Sequence, residues 1–227
     1  MTKTIEDLFV YMSGGLDVLI ILLFLAFFRR VRAAKGLWLI PVYCAASLVI
    51  NILVDNYVDP KYSYIPYTFF TLLEYLLFTA FIYMCVRNRV FHRVILGLSG
   101  AFIIFIAINL AVHRHGTIDS LSIGVETILI ILYSFWFMYE QMNNTSNLFI
   151  YNKFEFWVVT GLLIYLAGSF FIYIFANQLE GGIQKYWFLT NVFYIIKNIF
   201  FGVAIFNVAR QSRKKPQASQ NLHPYFR

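Results

Sequence analysis

Three ionisable residues stand where ionisable residues are costly. Glu74, Glu126 and Lys197 each lie inside an apolar run with the length of a membrane helix, ~20 residues for a hydrocarbon core of ~30 Å. A lysine near the centre of such a helix costs roughly 2.5–3.5 kcal/mol on insertion scales, so it must face a bundle interior or a wet cavity and have a partner. Thr190, Asn191, Tyr194, Lys197, Asn198 and Gly202 recur at three- and four-residue steps and therefore share one helical face. Tyr67, Thr71, Glu74 and Phe78 share another, and Asp119, Ser122, Glu126 and Tyr133 a third. Lys197 is the only deep cation, which predicts a buried pair with Glu74 or Glu126. The remaining acid then holds a proton or binds something else.

Two uses of this constellation compete. In one, the charges form a structural network that fixes helix register. In the other, they line a cavity in the outer half that recognises a small polar or amphipathic molecule, with Glu74, Glu126, Lys197, Asn109, Asn191, Tyr194, Asn198, Thr71 and Tyr165 as candidates. Asp17, Asn51, Asp55 and Thr190 also fall in the outer half, whereas the inner half holds little beyond Asn207 and aromatic hydroxyls. A proton or ion path is the weaker third use, because it needs a chain of acids or histidines through the inner half.

Other chemistries lack their residues. His92, His113, His115 and His223 lie in connections or the tail, so no metal site is expected. No glycine-rich phosphate loop, Cys-His pair or nucleophile elbow is present, so no enzyme and no cofactor are expected. Cys44 and Cys85 sit in or at the end of apolar runs and read as small buried residues.

The elements that must position these groups follow from composition. The 227 residues are 60% hydrophobic, 20% aromatic and 13% charged, with a mean hydropathy of +0.70, which indicates an all-α integral membrane protein. The net charge of +7 is spread between apolar runs and so reports topology, not a nucleic-acid surface. Seven spans are predicted at about 15–28, 37–54, 66–86, 94–112, 121–139, 156–176 and 186–209. They make one domain over 1–210, followed by a basic cytoplasmic tail over 211–227 that is expected to be disordered. The acidic N-terminus MTKTIEDLF lacks the positive region of a cleavable signal.

Charge bias sets the orientation. Arg29, Arg30, Arg32 and Lys35, then Arg87, Arg89 and Arg93, then Arg210, Arg213, Lys214 and Lys215 occupy alternate connections and the tail, which places them in the cytoplasm. The second, fourth and sixth connections hold Asp55, Asp59, Lys61, Arg114, Asp119, Glu180 and Lys185 and belong outside, while the fifth, whose one base is Lys153, takes its side from the odd span count. An N-out, C-in bundle in the inner (cytoplasmic) membrane results, with Trp38, Tyr57, Tyr67 and Tyr151 among its interfacial aromatics. Gly97, Ser99 and Gly100, and Gly161, Gly168 and Ser169, are positioned for close helix approach.

A lysine in the seventh helix and a glutamate in the third resemble the Schiff-base lysine and counter-ion of retinal proteins, but the likeness ends there. Microbial rhodopsins carry an aspartate one turn before the lysine, where this chain has Phe193, and an aromatic-proline signature in the sixth helix, where it has Tyr165 and no proline. A second resemblance covers most of the chain. Residues 67–81 (YTFFTLLEYLLFTAF), 108–110, 126–139, 156–171 (FWVVTGLLIYLAGSFF) and 194–206 (YIIKNIFFGVAIF) are similar to a family of small uncharacterised bacterial seven-helix membrane proteins. The motifs recurring in that family fall here on Glu74, Glu126, Phe156 with Trp157, Ile164 with Tyr165, Gly168, Phe170, and Lys197 with Asn198. Ala167 and Ser169 depart from the more polar small-residue run expected around Gly168.

Members of that family are often encoded beside sensor histidine kinases lacking large input domains. The resemblance therefore implies a non-enzymatic receptor subunit whose partners are the bilayer, a small polar or amphipathic ligand and a histidine kinase, with a homo-oligomer compatible. Arg29, Arg30, Arg32, Arg87, Arg89 and Arg93 are the candidate docking residues on the inner face. The alternatives are a small-solute transporter and, with less behind it, a membrane-embedded lipid enzyme.

Overall fold

A computed structural model describes residues 3–58, 64–112, 120–143, 150–174 and 187–218. The helices are α1 (Lys3–Ala26), the short α2 (Phe28–Val31), α3 (Leu39–Tyr57), α4 (Tyr64–Cys85), α5 (Arg89–Val112), α6 (Ser120–Met142), α7 (Phe154–Ile174) and α8 (Trp187–Ala218), with a 3-10 turn at Ile150–Asn152. Among the described residues there is no strand. Five stretches are long and apolar enough to cross a membrane: Ile65–Cys85, Arg89–Ala111, Ser120–Met142, Phe154–Ile172 and Phe188–Ser212. Tyr11–Ala26 and Leu39–Val54 are shorter apolar helices. The chain is an all-α, multi-pass membrane protein.

Local chemistry explains several boundaries. Pro41 and Pro66 fall in the first turns of α3 and α4, where a missing N–H breaks no helical bond. Asn88 caps α5 by accepting the Val90 amide at 2.8 Å. The corner before α3 turns on Gly36 at φ +80°, a conformation that side chains with a Cβ resist. A Cβ there would also come within 3.3 Å of the Phe81 ring.

Two boundaries differ from the sequence reading. The first helix begins at Lys3 instead of near residue 15, because its polar opening turns extend a helix whose apolar part alone is short. The last helix runs to Ala218, past the end expected at 209 and through the first part of the expected tail. Lysine, arginine and glutamine are good helix formers, so a basic composition marks a membrane exit without marking a helix end.

The principal contacts run α1 to α3, α3 to α4, α4 to α6, α6 to α7, α7 to α8, and α8 back to α1. These six helices close a ring, and α5 stands outside it against α4 and α6. Leu22, Ile52, Phe69, Ile104, Leu132, Phe171 and Phe206 point outward and are exposed, as a lipid-facing surface requires.

The closest helix contact joins α7 and α8. A Cβ on Gly161 would lie 2.7 Å from Phe200 Cβ, and one on Gly168 would lie 2.4 Å from the Phe193 ring. Two glycines of α7 thus receive two phenylalanines of α8 at seven-residue spacing in an antiparallel register, so the two backbones approach closely. Gly97 and Gly100 behave otherwise. A Cβ on either would meet nothing within 4 Å, so the expected close approach at that pair is not made. Their neighbour Ser99 instead bonds the Tyr75 hydroxyl at 2.9 Å.

One end of the bundle is tied by polar contacts. The Arg87 amide donates to Glu140 Oε1 at 2.8 Å, Lys153 Nζ to Gln141 Oε1 at 2.7 Å, and Ser212 Oγ to the Arg30 carbonyl at 3.0 Å. Asn207 and Gln211 both donate to the Asn152 carbonyl. Arg29, Arg30, Arg32, Arg87, Arg89, Arg93 and Arg210 are exposed around these ties. The connections at the opposite end, with Asp59, Lys61, Arg114, Asp119, Glu180 and Lys185, lie outside the described residues, as do the side chain of Asp55 and residues 219–227.

Candidate functional site

The spacing of α8 builds the site. Tyr194, Lys197, Asn198 and Phe201 succeed one another at helical steps along the face turned into the ring, and Lys197 and Phe201 are fully buried there. The Gly161 and Gly168 contacts draw α7 against this face, which brings the Tyr165 ring over the lysine. The ammonium lies 3.6 Å from the Tyr194 ring centroid, 4.1 Å from that of Tyr43 and 4.3 Å from that of Tyr165. Phe201 and Phe78 stand further back at 5.7 and 6.0 Å. Desolvated cation–π contacts are worth about 2 kcal/mol or more, comparable to the cost of placing the lysine in the membrane.

Two acids are reached from this cation through phenols. Lys197 Nζ donates to the Tyr43 hydroxyl at 2.7 Å, and that hydroxyl donates to Glu74 Oε1 at 3.1 Å. On the other side the Tyr194 hydroxyl donates to the Asp17 carboxylate, with oxygens at 2.7 and 2.9 Å. Asn198 Nδ2 adds a bond to Asp17 Oδ1 at 2.8 Å. Because the single Tyr194 proton goes to Asp17, Ser47 Oγ is the donor in its 2.9 Å contact with that hydroxyl. The pair expected between Lys197 and Glu74 is therefore corrected to a relay, with Tyr43 between the charges.

Glu126 is the exception. It is 3% exposed, and its Oε1 is buried with no hydrogen-bond partner. The electrostatic neighbour it meets is Glu74, so the expected lysine–glutamate pair is not made here either. One turn away, Ser122 accepts from Asn109 Nδ2 at 3.1 Å. Thr71 turns its hydroxyl back to the Tyr67 carbonyl at 3.0 Å. The Tyr133 hydroxyl meets that of Tyr75 at 3.3 Å.

The structure thus gathers Glu74, Lys197, Tyr194, Asn198 and Tyr165 around one centre, with Glu126 within electrostatic range of Glu74. Asn109 joins α5 to α6 through Ser122. Asn191 lies higher on α8, with its Nδ2 buried and unpartnered. Asn51 is exposed on the surface of α3 and takes no part. Sequence reasoning missed Tyr43 and Ser47, and placed Asp17 in the outer half without assigning it a role. An aspartate within an apolar run was a signal for Asp17. Tyr43 carried none, since a tyrosine in a membrane helix also reads as a packing or interfacial residue.

Among the described residues no group of three or more His, Cys, Asp or Glu side chains is placed to hold a metal. Cys44 is buried beside Tyr43 on α3, and both Cys44 and Cys85 are free. What the arrangement can do is hold charge, orient protons along fixed hydroxyls and respond to anything that alters its balance. Compared with family models, curated proteins and solved structures, the chain finds no match in any of the three.

Proposed function

We propose that this chain is a non-enzymatic receptor subunit: a seven-span bundle, N-out and C-in, in the cytoplasmic membrane, whose outer half recognises a small polar or amphipathic molecule. The signal passes to a separate partner, such as a sensor histidine kinase, that docks on the basic end bearing Arg29, Arg30, Arg32, Arg87, Arg89 and Arg93. The observation that carries this reading is the convergence on Lys197. Asp17 of α1, Tyr43 of α3, Glu74 of α4, Tyr165 of α7, and Tyr194 and Asn198 of α8 meet the lysine or each other around it, and Glu126 of α6 adjoins Glu74. A ligand that binds one charge arrangement better than another biases the packing of every helix in the ring, by its difference in affinity for the two.

Two further observations favour it. Apolar stretches in α1 and α3 accompany the five long ones, which suits a bundle of seven spans. The ties among residues 30, 87, 140, 152, 207 and 212 join α8 to α2 and to the Ile150–Asn152 turn, and α6 to the corner at Arg87, at one arginine-rich end, so a shift in the ring is carried to a surface fit for an acidic partner. The experiment is mild-detergent purification from the native membrane of the wild type and of Lys197→Met. A kinase or comparable signalling protein in fixed ratio with the wild type, and output uncoupled in the variant despite normal insertion, is the expected result. A protein that purifies alone overturns the reading.

A further inference from the structure

Among the described residues, the carboxyl and amino side chains buried inside the ring are Asp17, Glu74, Glu126 and Lys197, each at 7% exposure or less. Three acids face one base. Asp17 receives hydrogen bonds from Tyr194 and Asn198, and Glu74 from Tyr43, and the rings of Tyr43 and Tyr194 hold the lysine between them. The lysine is fully spent on this set. Its Nζ touches the Tyr43 hydroxyl and three aromatic faces, none of which leads to Glu126.

Among the described residues, Glu126 Oε1 therefore has no donor, and the contacts of Lys197 do not reach it. Of the hydroxyls along its own face and that of Glu74, Thr71 donates to the Tyr67 carbonyl, Ser122 accepts from Asn109 Nδ2, and Tyr133 meets Tyr75. A buried polar atom without a hydrogen bond is rare in folded proteins, and one on a carboxyl group is costlier than most. The group that would satisfy it must bring an N–H or O–H donor, and the nearby charge of Glu74 favours a donor that is also positive.

We infer that the unpartnered Glu126 carboxyl, beside Glu74, is the binding site for an organic ammonium, the protonated amine of a small amphipathic molecule. This rests on the receptor reading and names its ligand class. An anion is repelled by two acids. A metal ion would need more oxygen ligands than Glu126 and the already engaged Glu74 supply. An alkylammonium needs one or two carboxylates for its head and apolar walls for its chain, and α6 offers Ile130 and Val125 next to Glu126. The same bundle already holds one alkylammonium, the Lys197 side chain, by a tyrosine hydroxyl and tyrosine faces.

The test uses the full chain in lipid nanodiscs with n-butylammonium chloride as the probe, read by thermal unfolding against matched sodium chloride and against n-butanol. Wild type should be stabilised saturably by n-butylammonium and not by n-butanol. Glu126→Gln, which keeps the shape and removes the charge, should weaken the apparent affinity by about tenfold or more. Equal stabilisation by n-butanol, no saturable effect of n-butylammonium, or undiminished affinity in Glu126→Gln would each overturn the proposal. Should the variant not fold, the wild-type contrast between amine and alcohol decides alone. Partner capture is independent of this measurement, so loss of the ammonium site leaves the receptor reading to stand or fall by that purification.

Discussion

Lys197 and Glu74 share the hydroxyl of Tyr43, which accepts from the ammonium at 2.7 Å and donates to the carboxylate at 3.1 Å. Opposite charges in a dry interior are thus held apart by one phenol, which satisfies both and orients a single proton between them. Tyr43→Phe keeps the ring over the ammonium and removes the relay. It should destabilise the protein by about 1–3 kcal/mol, since charged hydrogen-bond groups are left buried without partners. The measurement is denaturant unfolding in detergent, where unchanged stability would show that the phenol bridges nothing of consequence.

A second prediction concerns the charges themselves. Lys197→Met removes the one base buried among the described residues and leaves Glu74 and Asp17 without a counter-charge, a loss of about 1–3 kcal/mol for a buried hydrogen-bonded charge left unmatched. Adding Glu74→Gln should return part of it, because the second substitution removes a charge the first had stranded. Strictly additive losses in this double-mutant cycle would mean that the two residues are not coupled.

The third prediction separates the two pairs of small residues. Gly161→Ala places a Cβ 2.7 Å from Phe200 Cβ and 3.3 Å from the Lys197 carbonyl, so α7 must move from α8. It should cost about 1–3 kcal/mol by overpacking and disturb Tyr165 above the lysine. Gly97→Ala and Gly100→Ala project into open space and should be neutral or slightly stabilising through helix propensity. Thermal melts of the three variants side by side check the order. Equal melting temperatures would contradict it.

Orientation gives a fourth. In a background with Cys44 and Cys85 replaced by alanine, Tyr57→Cys at the exposed end of α3 should react with a membrane-impermeant maleimide on intact cells. Arg32→Cys, at the arginine-rich end, should react only after permeabilisation. The reverse pattern would invert the N-out, C-in assignment and move the docking face outside.

How far the sequence could be read depends on how each residue signals. Apolar runs of helical length announce themselves, and the helices fall close to where hydropathy places them. Glu74, Glu126 and Lys197 were legible because a charge in such a run has few innocent explanations. The direct pairing was not legible, because periodicity gives the face of a helix and not the neighbour across the gap. Tyr43 is the clearest case: its role depends on where α3 meets α4 and α8, and no pattern within α3 encodes that. Gly97 and Gly161 look alike in sequence, and only the packing of α5 outside the ring separates them.

The ring closes between its first and last members, Asp17 on α1 bonding Tyr194 and Asn198 on α8. Lys197 is therefore the last of these four buried groups to be synthesised, after Asp17, Glu74 and Glu126. Until α8 leaves the ribosome, the nascent bundle holds three acids with no base among them. A chain that stops before α8 therefore lacks both the base that faces those carboxyls and the Tyr194 and Asn198 donors that hold Asp17.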